Sequence, residues 1–304
     1  MFSWLTSAFL KLSNTNYMKN LIYPLLLLTF AWAFTGCDEP AETAETKEWI
    51  HLFNGENLDG WDIKIAGYEL NDNVFNTFRV EDGMLRVSYD DYVEWNGELG
   101  HIFYHEPFSH YHIVVEYRFI GEQVAGGPDW GFLNNGIMMH SQPAATLTLD
   151  QLLPISFEMQ LLHSEGDIVR PNGNLYLPGT QVVLDGELTE EDYFPSSSDP
   201  YFGEDWVRAE AIVLGDSLMQ HILDGEVVME YSNPIMGGEG PDYYDPDVKE
   251  YGQPLTEGHI ALQAETHPTD FRTIKILPLK GCMDPDADNF KSYYVVDDPD
   301  ACEY

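Results

Sequence analysis

The amino-acid sequence predicts an all-β protein, a sandwich of antiparallel sheets, and three observations carry that expectation. Between Trp49 and Leu279, short segments rich in Val, Ile, Phe and Tyr alternate apolar with polar residues, the period of half-buried strands. Gly, Pro, Asn and Asp separate these segments, with little sustained helical period and no internal repeat. Asp82-Gly83 and Asp224-Gly225 each stand between two such segments and supply the positive φ that tight hairpins need. The 304 residues are 44% hydrophobic and 13% aromatic, enough for a large core and too apolar for global disorder.

In order, strands are predicted over 77–80 and 84–87, flanking the first Asp-Gly turn, and over 111–119, where Tyr111, Ile113, Val115 and Tyr117 share a face. Further strands follow over 136–140 and over 155–163, which separates Phe157, Met159 and Leu161 from Glu158 and Gln160. The stretch 206–214 alternates, and 218–223 and 227–231 flank the second Asp-Gly turn. The last two cover 259–265 and 271–277. One short helix is expected within 146–153. The stretches 164–205 and 232–257 read as long loops, which in a compact domain are usually functional or disordered.

The ends read as separate units. Lys19, the apolar run 25–34 and Phe34-Thr35-Gly36-Cys37 form a signal-peptide pattern closing on a lipobox-like Cys. Residues 1–36 are therefore expected to be a lipoprotein signal peptide and Cys37 the lipidated residue. Residues 37–48 form an acidic tether, 49–279 the sandwich, and 280–304 an acidic tail. Cys282 and Cys302 remain as an even pair for a disulfide in an exported chain. The expected location is the outer membrane, with the lipid as the only membrane contact. Asp284, Asp286 and Asp288 are candidate oxygen ligands for calcium, although the EF-hand glycine is missing.

Charge narrows the partners. Fifty-two Asp and Glu face 14 Lys and Arg, a net charge of −38. Phosphate backbones need clustered cations, so nucleic acid is excluded, as is a basic lipid-binding patch. No GxSxG elbow, Walker loop, dinucleotide fingerprint or HExxH pair occurs in the sequence.

Residues two apart on a strand share a face. His259, Gln263 and Glu265 therefore align, with His267 added if the strand persists. Glu158 with Gln160, Glu116 with Arg118, and Arg208 with Glu210 align likewise, and His140 is the polar member of its segment. A solvated sheet face would be polar for that reason alone. Glu, Gln, His and Arg beside aromatic residues suggest instead a sugar-binding face, with Glu158 and Glu265 as an acid–base pair.

Several blocks also resemble one family in order. They are Leu52-Phe53-Asn54-Gly55 with Leu58-Asp59-Gly60-Trp61, Phe78 to Leu85, Asn134 to His140, Phe157 to Leu162, Asn172 to Tyr176, Trp206-Val207, Leu223 to Glu226, Leu262 to Pro268, and Phe271 to Ile274. Together they resemble the DUF1080, or 3-keto-disaccharide hydrolase, domain. The run after Cys37 is similar to the export signal of Bacteroidetes lipoproteins, and the tail to a Cys-closed repeat appended to their exported proteins. The resemblance implies a concanavalin A-like jelly roll that cleaves 3-keto-glycosides by C2 proton removal, β-elimination and hydration. That route needs a base, a stabiliser for the enolate oxygen and an acid for the leaving group; His140, Glu158 and His267 are the candidates for proton transfer, and Arg118, Arg208, Gln160, Gln263 and Glu265 those for binding substrate. A divalent metal is left open as cofactor. An NAD-dependent glycoside 3-dehydrogenase is the implied functional partner. The alternatives are a lipid-anchored carbohydrate-binding module and an ordinary carboxylate-pair glycoside hydrolase.

Overall fold

The computed structural model describes residues 46–304. The signal segment, Cys37 and nearly all of the tether lie outside the described residues. The first strands in chain order are β1 (Ile50–His51), β2 (Trp61–Ile65), β3 (Phe78–Glu81), β4 (Met84–Val87), β5 (Gly100–Tyr104) and β6 (His110–Phe119). Then come β7 (Asn134–Ser141), β8 (Phe157–Leu162), β9 (Asn174–Tyr176), β10 (Thr180–Leu184), β11 (Glu187–Leu188) and β12 (Tyr193–Phe194). The chain continues with β13 (Val207–Leu214), β14 (Leu218–Leu223), β15 (Glu226–Met236), β16 (His259–Ala264) and β17 (Thr269–Pro278). Short β18 (Lys280–Gly281) and β19 (Val296–Asp297) follow in the tail.

Strands β1 to β17 make two antiparallel sheets. The larger runs β11-β10-β15-β14-β13-β6-β17-β4-β3, with β1 also on β17. The smaller runs β12-β9-β8-β7-β16-β5-β2. Alternation decides what lies between them. Tyr111, Ile113, Val115, Tyr117 and Phe119 of β6 are buried in one core with Ile137 and Met139 of β7, Phe157, Met159 and Leu161 of β8, and Ile260 and Leu262 of β16. Burying each such side chain contributes roughly 1.5–3 kcal/mol. The all-β sandwich expected from the sequence is the fold observed, and the disulfide between Cys282 and Cys302 closes the tail.

Both Asp-Gly turns form as expected, with φ of +52° and +75° at Asp82-Gly83 and of +51° and +84° at Asp224-Gly225. Two expectations change. The helix expected in 146–153 reduces to one 3-10 turn at Ala144–Thr146. Glutamine side chains take the backbone groups a helix would use: Gln142 Oε1 accepts the Ile155 N–H at 2.8 Å, and Gln151 Oε1 the Thr148 N–H at 3.3 Å. Residues 164–205 are not a plain loop but hold β9 to β12. A third Asp-Gly hairpin lies there, joining β10 to β11 through Asp185-Gly186 with φ of +53° and +85°.

In the tail, β18 and β19 pair in parallel. Asp284 is occupied locally: its Oδ1 accepts the Asp286 N–H at 3.0 Å and its Oδ2 the Tyr304 hydroxyl at 2.7 Å. Among the described residues no three His, Cys, Asp or Glu side chains converge to hold a metal, so Asp284, Asp286 and Asp288 do not form such a set.

Candidate active site

The outer face of the smaller sheet carries the chemistry. On β8 the inward residues Phe157, Met159 and Leu161 leave Glu158, Gln160 and Leu162 facing out. On β16 the same alternation turns Gln263, and Glu265 just beyond it, to that face. Strand β7 lies between β8 and β16 and presents Gly136 opposite Gln160. A Cβ at Gly136 would sit 2.6 Å from the Glu158 carboxyl carbon. The glycine is thus a slot in which the Glu158 side chain lies, on the strand that separates it from Glu265.

A cleft of about 550 Å³ opens over this face, lined by Glu158, Glu265, Gln160, Asn134, Arg170 and Tyr176 among others. Glu158 is 1% exposed and Glu265 8%. Burial raises the Glu158 carboxyl to about 8. Burial raises Glu265 well above the carboxylate range too, and the charge of Glu158 pushes it further, while Arg170 pulls it back. Two buried carboxyls, each raised in this way, keep their protons at neutral pH, and the charge of either one once ionised disfavours ionisation of the other.

Arg170 is the cation of the cleft. Its Nε donates to the His163 carbonyl at 3.0 Å, and its Nη2 to the carbonyls of Leu133, at 3.2 Å, and Phe132. These bonds fix the guanidinium by two of its three nitrogens without neutralising it. Nearby, Glu158 Oε1, Glu265 Oε2, Gln160 Oε1, Gln263 Oε1 and Asn134 Oδ1 are buried without a partner in the protein. Buried polar atoms are rarely left so. A group of acceptors on one face suits a ligand rich in hydroxyl donors.

The other sequence candidates lie elsewhere. A bulge between β7 and β16, where Ala261 opposes Met138 but His259 opposes Ser141, gives His140 a φ of +46° and turns it between the sheets. Its Nε2 meets the Gly215 carbonyl at 3.0 Å, its ring packs on Phe157, and burial lowers its pKa to about 4. His267 leaves the face because the strand ends at Ala264 and Thr266 takes a φ of +82°. It packs edge-on between Phe119 and Phe132 and lines a neighbouring pocket of about 280 Å³. Burial lowers its pKa to about 4 as well.

Arg118 and Arg208 sit across the core, on the outer face of the larger sheet. Arg118 donates to the fully buried Asp270 at 2.9 Å and stacks on Trp206, while Arg208 donates to Glu210 at 2.7 Å. The expected grouping on one face therefore holds for Glu158, Gln160, Gln263 and Glu265 and fails for the two arginines, because β6 and β13 belong to the other sheet. Sequence reasoning passed over Arg170, Tyr176, Tyr193 and the slot role of Gly136. Arg170 had a signal: it is the one Lys or Arg in 164–205.

Fold and site together define a sheet sandwich with two buried carboxyls, Glu158 and Glu265, in a cleft lined by unpartnered polar acceptors. The chain belongs to the 3-keto-alpha-glucoside-1,2-lyase-like domain family, whose model matches residues 48–277. Similar solved structures include two proteins of Parabacteroides distasonis ATCC 8503 described as candidate glycosyl hydrolases. One is 18% identical with a TM-score of 0.45, covering 76% of this chain and 100% of its own. The other is 16% identical with a TM-score of 0.42, covering 76% and 94%. A galectin-like protein of unknown function from Bacillus subtilis is 12% identical, with a TM-score of 0.48 and coverage of 76% and 94%. No curated protein matches the chain significantly.

Proposed function

We propose that this protein cleaves 3-keto-glycosides by β-elimination, followed by hydration to give net hydrolysis. The observation that carries the reading is the buried Glu158–Glu265 pair beside an un-neutralised Arg170. A ketone at C3 acidifies the C2 proton. Ionised Glu158 removes that proton, and the electron pair forms an enolate whose oxygen sits against Arg170. Collapse of the enolate breaks the C1–O bond, and protonated Glu265 gives its proton to the departing oxygen. An enone and an alcohol result, and water then adds across the enone. Positioned proton transfer of this kind contributes about 10²–10⁴-fold, and a preorganised cation at the developing oxyanion adds to it.

Gln160, Gln263 and Asn134 hold the sugar hydroxyls. His140 and His267, neutral and away from the cleft, support its walls rather than move protons. The substrate ketone has to be made first, so the proposal includes an NAD-dependent glycoside 3-dehydrogenase acting upstream. It also keeps the exported, lipid-anchored location expected from residues 18–37.

Purified protein is expected to release methanol from methyl 3-keto-glucoside and none from methyl glucoside. Equal turnover of the two would replace elimination by ordinary carboxylate-pair hydrolysis. Saturable binding of both with no turnover of either would make the protein a binding module.

A further inference from the structure

The cleft has two unlike flanks, and the strand order separates them. On the β9 and β12 side stand Tyr176 and Tyr193, paired in register, with Asp242 nearby in the lining. On the β16 and β5 side the lining includes Leu99, Leu152 and Leu153, and Trp130 also lines the cleft. Glu158 and Glu265 lie between. Leu99 directly precedes β5, and Leu152 and Leu153 are held in place by the connection between β7 and β8. Leu153 packs against a small second core of Phe103, Met138, Ala144, Leu147 and Ala261 on this outer face.

Polar bonds pin the same loop. Gln151 Nε2 donates to the Leu153 carbonyl at 2.8 Å and to Gln142 Oε1 at 2.9 Å. The buried Lys64 ammonium donates to the Leu149 carbonyl at 2.9 Å. A connection of fifteen residues (142–156) fixed this firmly offers a preformed wall. A hydroxyl placed against these leucines would be buried without a partner, which is costly, whereas a hydrocarbon group would gain by leaving water.

We propose that the group expelled from C1 is apolar, an aryl or alkyl aglycone seated on Leu99, Leu152 and Leu153, and not a second sugar. The inference rests on the elimination reading above and names its substrate class. The sugar ring keeps the hydroxyl-accepting floor and the tyrosine flank.

The test compares 3-keto-glucosides whose leaving groups are methanol, cyclohexylmethanol and glucose; glucose is the most acidic of these alcohols, so leaving-group ability alone favours the glucosyl compound and works against the expected order. The cyclohexylmethyl compound is expected to have a kcat/KM about tenfold or more above the glucosyl one, the scale on which apolar pockets discriminate. Leu153→Asn is expected to bring the ratio of cyclohexylmethyl to methyl turnover towards one. Leu152→Asn, outside the second core, is expected to do the same should Leu153→Asn misfold. A glucosyl substrate that matches or exceeds the cyclohexylmethyl one, or a ratio unchanged in Leu152→Asn, would overturn the proposal. If no 3-keto-glycoside is turned over, the elimination reading fails by itself. Calorimetry with the unoxidised glycosides then decides the wall: tighter binding of cyclohexylmethyl glucoside than of methyl glucoside supports it, and equal affinity overturns it.

Discussion

Replacing Glu158 by Gln is expected to lower turnover of a 3-keto-glucoside by about 10²–10⁴-fold and to raise the melting temperature at pH 8. The two effects share one cause. Glu158 is held protonated by burial up to about pH 8, whereas an unfolded Glu ionises near 4.3. Between those values the native state binds the extra proton, so stability falls as pH rises through this window and is lowest, for this group, above it. A glutamine cannot ionise, so the variant loses that slope and gains most where the wild type has lost most. Activity moves the opposite way: the base must be ionised, so wild-type kcat/KM is expected to climb towards pH 8. Melting curves from pH 5 to 9 and rates over the same range check both. A variant with wild-type turnover, or with an unchanged pH slope of stability, would remove Glu158 from the role of base.

Gly136→Ala is expected to cost nearly as much activity without touching a reactive group. The added Cβ would stand 2.6 Å from the Glu158 carboxyl carbon and 2.8 Å from its Cγ, so the carboxyl has to move. Displacing a catalytic group by about 1 Å can lose about 10²-fold. The site is on the cleft side of β7, away from the core formed by Ile137 and Met139, so folding is expected to survive. The double variant Gly136→Ala, Glu158→Gln is expected to be no slower than Glu158→Gln, because both remove the same interaction. Kinetics of the three proteins decide it; additive losses would mean that the glycine acts through something other than Glu158.

The floor of the site was legible because it is written in alternation. Phe157, Met159 and Leu161 mark the inward face of β8, which fixes Glu158 and Gln160 outward, and Ile260 and Leu262 do the same for Gln263 and Glu265. Alternation names a face but not a sheet, so Arg118 and Arg208 were grouped with residues that lie across the core from them. It also assumes unbroken strands. The bulge at His140 and the left-handed Thr266 each reverse a side chain at one residue, and neither position is a glycine or proline that would advertise it. Strands β2 and β5 escaped notice although they flank the site: four of the five residues of each are buried, Lys64 and His101 among them, so neither has the one solvated face that alternation marks. Arg170 escaped because it acts from a loop, where no period points to it. Its isolation among acids was the available cue.

The central claim is that bond cleavage begins with loss of the C2 proton, and a 3-keto-glucoside carrying deuterium at C2 tests it most directly. After turnover in ordinary water, with unreacted substrate as the control for spontaneous exchange, mass spectrometry of the sugar product is expected to show the deuterium gone. Sugar product that retains its C2 deuterium and forms at the same rate as from the undeuterated substrate, so that no C2 bond is broken and the same deuteron is not merely returned by Glu158, would contradict elimination.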